Sequence, residues 1–180
     1  MDIVDRATRS RMMSNIRSAD TRPELIIRHD LFRRGFRYCL HARNLPGRPD
    51  LSLPKYRALI YIHGCFWHGH NCDLFKWPKT RSDFWEQKIR SNQQRDKRNI
   101  QLAIESGWRA CVVWECSTKR VKEAIRVIQL VDGIDRWLRS DSYFAEFSAA
   151  DSVSRYRVSE VSDAAEIAAE SVMRYGAGLA

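Results

Sequence analysis

Residues 45–72 read LPGRPDLSLPKYRALIYIHGCFWHGHNC, and this stretch decides the fold. Leu45-Pro46-Gly47-Arg48-Pro49 is turn chemistry, Asp50 to Leu53 is a short strand-like run, and Pro54-Lys55 marks a second turn. Arg57 to His63 then carries Ala58-Leu59-Ile60-Tyr61-Ile62, an apolar run of strand length that belongs in a buried sheet. Two strands joined by so short a turn are antiparallel neighbours. Phe36 to Leu40, just upstream, supplies a third, so residues 36–63 are expected to form a small antiparallel meander.

Outward from the meander the periodicity becomes helical. Thr21 with Glu24 three residues on is a capping-box pattern, Pro23 suits a first turn, and Gly35 ends the element. Leu25, Ile26, Ile27, Leu31 and Phe32 are its expected apolar face. Before it, Asp5 to Ser18 reads as a short Arg-rich amphipathic helix with Met12, Met13 and Ile16 at helical spacing. After the meander come a loop from Gly64 to Pro78, a long polar helix from about Arg81 to Ser106, a strand from Trp108 to Trp114 and a closing helix from Thr118 to Leu138. The order αα-βββ-α-β-α gives an α/β protein with a central mixed sheet flanked by helices. The expected organisation is an N-terminal arm over 1–20, one main domain over 21–140 and an appendage over 141–180, in which Asp163 to Arg174 can form a helix.

With 44% hydrophobic and 11% aromatic residues the chain can bury a core, which argues against disorder. The opening MDIVDRATRSRMM lacks an apolar core of signal-peptide length. No run approaches the roughly 18 apolar residues that cross a bilayer, so a cytoplasmic protein without a membrane partner is expected. The net charge of +9 is uneven. Residues 151–180 hold three Arg against five Asp and Glu, a balance of −2, which leaves +11 on the first 150. A basic body of this kind suits a polyanion such as nucleic acid.

The five cysteines, Cys39, Cys65, Cys72, Cys111 and Cys116, are an odd number without an export signal, which disfavours a disulfide framework. Cys65, His70 and Cys72 fall close enough to converge on one ion, and Cys116 after the next strand can complete a Cys₃His set. Thiolates with imidazole select Zn²⁺, and four protein ligands leave no open position, so the ion's role is structural. Cys111 is the rival fourth ligand but lies inside an apolar strand; Cys39 and Cys111 are expected in the core.

Asp50 opens the second strand and His63 closes the third. If these strands are neighbours, the Asp50 carboxylate, the Ile62 carbonyl and the His63 imidazole meet at one sheet edge. A carboxylate with carbonyl and water ligands is how Mg²⁺ is usually held. Either His63 or His68 then serves as general base for water or as acid for the leaving oxygen. By itself Pro49-Asp50 is more often an ordinary turn, and the histidines also read as zinc ligands or surface residues.

Taken together, Leu45–Asp50, His63–His68 with His70 and Cys72, Phe84-Trp85 and Val113–Cys116 closely resemble the very short patch repair (Vsr) endonucleases, as does the opening Ala7-Thr8-Arg9-Ser10. The resemblance spans roughly residues 5–138 in order. It implies a restriction-endonuclease-like fold of the PD-(D/E)xK superfamily in which Asp…Glu-x-Lys is altered to Asp50…Tyr61-x-His63. It also implies Mg²⁺ on Asp50, acid–base and phosphate roles for His63 and His68, a supporting Glu24, and structural Zn²⁺ on Cys65, His70, Cys72 and Cys116. Such enzymes nick double-stranded DNA 5′ to the thymine of a T:G mismatch left when 5-methylcytosine deaminates. Phe66, Trp67 and Trp85 would intercalate, with Met13 approaching from the other groove, where an easily opened step favours an apolar wedge. Arg6, Arg9 and Arg11 on the arm and Arg90, Arg95, Lys97 and Arg98 on the long helix are candidate phosphate contacts. A monomer is expected, with mismatch-repair proteins as further partners. The chain departs from the pattern at Ile62, where relatives have a hydroxyl residue, at Gly69 and Asn71 in a His-rich run, and in its tail. Two other readings remain open: a zinc-dependent DNA-binding module without catalysis, and a nuclease of the same fold with another DNA target.

Overall fold

The computed structural model describes residues 5, 7, 8, 11, 19–119 and 123–149, the last stretch without the side chains of 123–126. Arg6, Arg9 and Met13, most of the expected arm helix, and the expected helix at Asp163–Arg174 lie outside the described residues. Helix α1 (Arg22–Arg33) starts on the anticipated capping box, with Thr21 Oγ1 donating to Glu24 Oε1 at 2.8 Å. It is followed by Gly35 at φ +88°, a conformation open to glycine. Strands β1 (Cys39–Leu40), β2 (Leu51–Leu53) and β3 (Ala58–His63) follow. Helix α2 (Ser82–Glu105), β4 (Arg109–Trp114), α3 (Glu123–Leu138) and β5 (Phe144–Phe147) complete the described elements.

The five strands form one sheet in the order β1-β2-β3-β4-β5. β1, β2 and β3 are the antiparallel meander, and β4 and β5 are added parallel, each after a helical crossover. Residue alternation sorts the two faces. Ala58, Ile60, Cys111 and Val113 join Ile27 and Leu31 of α1 and Val131, Ile134 and Trp137 of α3 in the larger core. Leu59, Tyr61 and Ala110 turn the other way, onto Ala103 and Ile104 of α2. The β-sheet is therefore covered on both sides, which explains why β3 carries no polar alternation.

Three expectations need correction. Residues 144–147 are not appendage: β5 pairs with β4 from Ala110↔Phe144 to Val113↔Phe147, so the sheet extends beyond residue 140. Four residues of mixed polarity gave no alternation to read. The apolar face of α1 is narrower than its composition suggests, because Leu25 and Phe32 are more than half exposed while Glu24 and Arg28 are buried. Cys111 is core, but Cys39 is exposed on a two-residue edge strand.

Candidate active site

Asp50 directly precedes β2, whose Leu51 pairs with Ile60 of β3. Continuing that register by alternation puts Asp50 on the face of Tyr61 and His63. The two side chains share one cleft of about 590 Å³, lined also by Glu24, Arg48, Ile62, Trp67, His68, Arg95, Asp96 and Glu115. The Ile62 amide donates to Asp50 Oδ2 at 2.6 Å. The Ile62 carbonyl points to the same side of β3, because a strand residue presents both peptide groups to one neighbour. Tyr61 anchors the preceding turn instead of entering the chemistry, its hydroxyl donating to the Pro46 carbonyl at 2.8 Å.

Burial dominates the charge state of Asp50. Removal from water and the nearby Glu24 carboxylate raise its pKa to about 6, against the lowering effect of the Ile62 amide bond. A group balanced in this way gains from a cation. Asp50 with the Ile62 carbonyl is a hard-oxygen set of the kind Mg²⁺ accepts, with room in the cleft for waters.

The two histidines form one unit. The His63 and His68 rings stack at 4.0 Å with 5° between their planes. Burial, then the neighbouring His68, push the His63 pKa down to about 3, so the ring is neutral near pH 7. His68 is held differently: its Nδ1 bonds the Asp96 carboxylate. Burial raises the Asp96 pKa, but the His68 bond and the surrounding positive groups outweigh it and hold the carboxyl below its usual range. A carboxylate on one ring nitrogen fixes the tautomer and leaves the other nitrogen with its lone pair for proton transfer.

Asp96 was missed in the sequence, although one carboxylate inside Arg95-Asp96-Lys97-Arg98 is a legible oddity on a basic helix. Arg48 was also missed. Of the basic residues expected on α2, Arg95 lines the cleft, Lys97 and Arg98 are exposed, and Arg90 is exposed with an ion pair to Glu86. Arg11 is exposed, its Nη2 donating to Thr8 Oγ1 at 3.3 Å.

Beyond His68 the loop turns toward a second cluster. Cys65 Sγ and Cys116 Sγ each lie 3.6 Å from His70 Nδ1, and these atoms with Cys72 Sγ all fall within 4.8 Å of one another. Zn–S and Zn–N bonds of usual length in a tetrahedron put sulfur and nitrogen roughly 3.5 Å apart, so the donor set fits zinc in spacing and in chemistry. Cys116 accepts hydrogen bonds from Cys65 and from the Ala149 amide; the first bond chiefly pushes its pKa down to about 6. Cys65 is pushed up by the same bond and by burial. The rival Cys111 stays in the core, where burial raises its thiol.

α2 clamps the loop. Asn92 Nδ2 donates to the Trp67 carbonyl at 2.7 Å, and Gln93 Nε2 to the His68 and Gly69 carbonyls. Gly69 has φ +63°, and a Cβ there would stand 2.6 Å from Ile89 Cγ2 and 2.7 Å from Gln93 Nε2, so a larger residue between the two clusters would require those side chains to move. On the outside of the loop Phe66 packs against Trp67 and Trp85 at 5.3 and 5.2 Å between ring centroids, and all three rings remain partly exposed.

These motifs can now be set against known proteins. Residues 1–74 match the family model described as DNA mismatch endonuclease Vsr. The chain is 40% identical over 145 residues to the DNA mismatch endonuclease Vsr of Escherichia coli K12, covering 81% of this chain and 92% of that protein. The chain belongs to the Vsr endonuclease family. It is also 45% identical over 105 residues to the type II nicking enzyme V.XorIIP of Xanthomonas oryzae pv. oryzae, 58% of this chain and 77% of that one. V.NmeAIP of Neisseria meningitidis serogroup A, another type II nicking enzyme, is 42% identical over 118 residues, 66% and 84% of the two chains. As a Vsr-family protein this chain is a DNA endonuclease, and its five-stranded mixed sheet with flanking helices suits a nuclease. Among the described residues no helix is long and apolar enough to cross a membrane.

Proposed function

We propose that this Vsr-family endonuclease nicks one strand of duplex DNA 5′ to the thymine of a T:G mismatch by Mg²⁺-dependent hydrolysis. The observation that carries the reading is the shared cleft: Asp50, Ile62, His63 and His68 line it together, beside the partly exposed Phe66–Trp67–Trp85 cluster. The E. coli relative is named for action on mismatches, and the others for nicking.

In this reading Asp50 and the Ile62 carbonyl hold Mg²⁺, whose contribution when bound is to offset charge building up on the phosphodiester. His68, oriented by Asp96, takes the proton of the attacking water. Neutral His63 donates a hydrogen bond to a phosphate oxygen, and Arg48 and Arg95 hold the flanking phosphates. Glu24 supports Asp50. Phe66, Trp67 and Trp85 wedge into the step beside the mismatch, where stacking is weakest, and Met13 approaches from the arm. Arg6, Arg9, Arg11, Arg90, Lys97 and Arg98 make backbone contacts. Cys65, His70, Cys72 and Cys116 hold structural Zn²⁺, stapling the wedge-bearing loop to the end of β4. One chain supplies every assigned residue, so a monomer suffices. Mismatch-repair proteins are its natural partners, and the cytoplasm, where DNA is repaired, its place.

The test is a strand-resolved nicking assay on duplexes differing only in T:G against T:A, with Mg²⁺ or EDTA, in varied sequence contexts. A nick confined to the T strand of T:G with Mg²⁺ is expected. Equal cutting of matched duplex would indicate a nuclease of the same fold with another target. No cutting in any context would leave a binding module.

A further inference from the structure

Beyond Cys72 the loop carries a second run of aromatic and basic residues, Phe75-Lys76-Trp77-Pro78-Lys79-Thr80-Arg81. It is tied down at its start, where the Phe75 amide donates to the Cys72 carbonyl at 3.0 Å. From there the rings form a continuous series. Trp77 packs edge-on against Phe75 at 5.0 Å between ring centroids, and Phe75 lies 6.3 Å from Phe66. On the other flank Phe84, in the first turn of α2, meets Trp85 at 5.3 Å.

Both ends of this series are open to solvent, with Trp77 54% and Phe84 46% exposed. Neighbouring rings left outside two well-filled cores mark a surface that meets a partner. The rim sets the chemistry of that partner. Lys76, Lys79 and Arg81 are all exposed, and no acidic residue occurs between Asp73 and Asp83. The Arg81 guanidinium lies over the Phe84 ring, 4.5 Å from its centroid, and extends the stacking surface. Cations interleaved with exposed ring faces fit a single nucleic-acid strand, whose phosphates take the charges and whose unpaired bases have free faces. A closed duplex fits less well, because its base faces are covered by stacking. A wedge of Phe66, Trp67 and Trp85 that opens a base step supplies unpaired bases at the inner end of the series.

We propose that Trp77 and Phe84, flanked by Lys76, Lys79 and Arg81, form a stacking platform for single-stranded DNA, which holds the strand left unpaired beside the wedge. The inference rests on the reading of Phe66, Trp67 and Trp85 as that wedge. Trp77 takes a base on its exposed face, and the lysines on either side of it neutralise the adjoining phosphates. Neither Trp77 nor Phe84 lines the cleft of Asp50, so the platform acts on affinity for opened DNA and not on hydrolysis.

The experiment titrates the full zinc-loaded chain, without Mg²⁺, into a short fluorescein-labelled oligothymidylate and into a fully paired duplex, read by fluorescence anisotropy. Wild type is expected to bind the oligothymidylate. Trp77→Ala and Phe84→Ala should each weaken that binding about tenfold, while Trp77→Phe keeps most of it and the paired duplex is bound as by wild type. Lys79→Gln should lower the slope of log affinity against log salt by about 0.7. Both rings are about half exposed, so the variants fold, and zinc content checks that they do. Wild-type affinity for the single strand in both alanine variants overturns the proposal and leaves the patch to a protein partner. Equal losses on single strand and duplex, or no binding of the single strand by wild type, also overturn it. If Trp67→Ala alone loses the affinity, the strand belongs to the wedge and the proposal falls. Failure of wild type to nick a T:G duplex, with the dependence on Trp77 and Phe84 intact, retires the proposed activity and keeps the platform.

Discussion

The loop from His63 to Cys72 feeds two sites that differ in nearly every physical respect. On one side, Asp50, the Ile62 carbonyl and the stacked His63 and His68 offer hard oxygen and imidazole groups to an open cleft. On the other, Cys65, His70, Cys72 and Cys116 offer soft donors at tetrahedral spacing, with Cys65 and Cys116 almost fully buried. Six residues separate His63 from His70, yet the first set leaves space for water and a phosphate while the second is closed. In the proposed reading, donor softness and open coordination, more than position in the chain, give catalysis to one and structure to the other.

The largest expected effect lies on the closed side. Cys116→Ser should lose zinc and, with it, most of the order of the loop. Structural zinc supplies free energy on the order of 10 kcal/mol in small domains, and here a sheet core remains, so loss of a third or more of that is expected as a fall in the chemical denaturation midpoint. Nicking should fall with it, because the wedge residues lose their support. Zinc content with an undisturbed nicking rate would break the proposed division.

On the open side, Asp96→Asn should lower the nicking rate about 100-fold, a typical share for an oriented acid–base group, without changing zinc content. A single-turnover nicking rate measured beside the zinc content would check this, and a wild-type rate would remove Asp96 from the positioning of His68. Gly69→Ala probes the joint. A strained φ and a 2.6 Å approach to Ile89 should cost about 1–3 kcal/mol, with both zinc affinity and nicking impaired, because the residue lies between the two sets. An effect on one alone would mean that they are less coupled than the loop suggests.

The smallest effect has the most telling sign. Burial raises the folded-state pKa of Asp50 from 3.8 to about 6, so the folded protein binds that proton more tightly than the unfolded chain does. Stability attributable to Asp50 therefore falls as pH rises from about 4 to about 6, and ionised Asp50 is a net cost at pH 7. Asp50→Asn should stabilise the zinc-loaded, Mg²⁺-free protein at pH 7 by about 1–2 kcal/mol, less than the roughly 3 kcal/mol upper bound of a two-unit shift, and should flatten that part of the pH dependence. Thermal melts of the two zinc-loaded proteins without Mg²⁺ at pH 4 and pH 7 measure it.

The same contrast explains what the sequence reveals. The meander, the long helix and the soft-ligand set were legible because each rests on local signals: turn residues, an apolar run, and cysteines beside a histidine. β5 was not, since Phe144–Phe147 becomes a strand only by adding to the exposed side of β4. Arg28 and His41 were invisible for the same reason. A buried arginine on α1 looks like any solvated helix charge until the fold brings Asp20, Glu24 and His41 around it. Leu25 and Phe32 show the reverse, apolar residues at helical spacing that the packing leaves outside.

The central claim is that one loop serves a catalytic and a structural site that can be separated. The most direct measurement is the zinc content and the Mg²⁺-dependent nicking rate of Asp50→Asn on a T:G duplex, taken on one preparation alongside wild type. One zinc per chain in both proteins, with nicking lost by at least about 1,000-fold in the variant, is the predicted result. Nicking at the wild-type rate, or zinc lost together with the aspartate, would contradict the account.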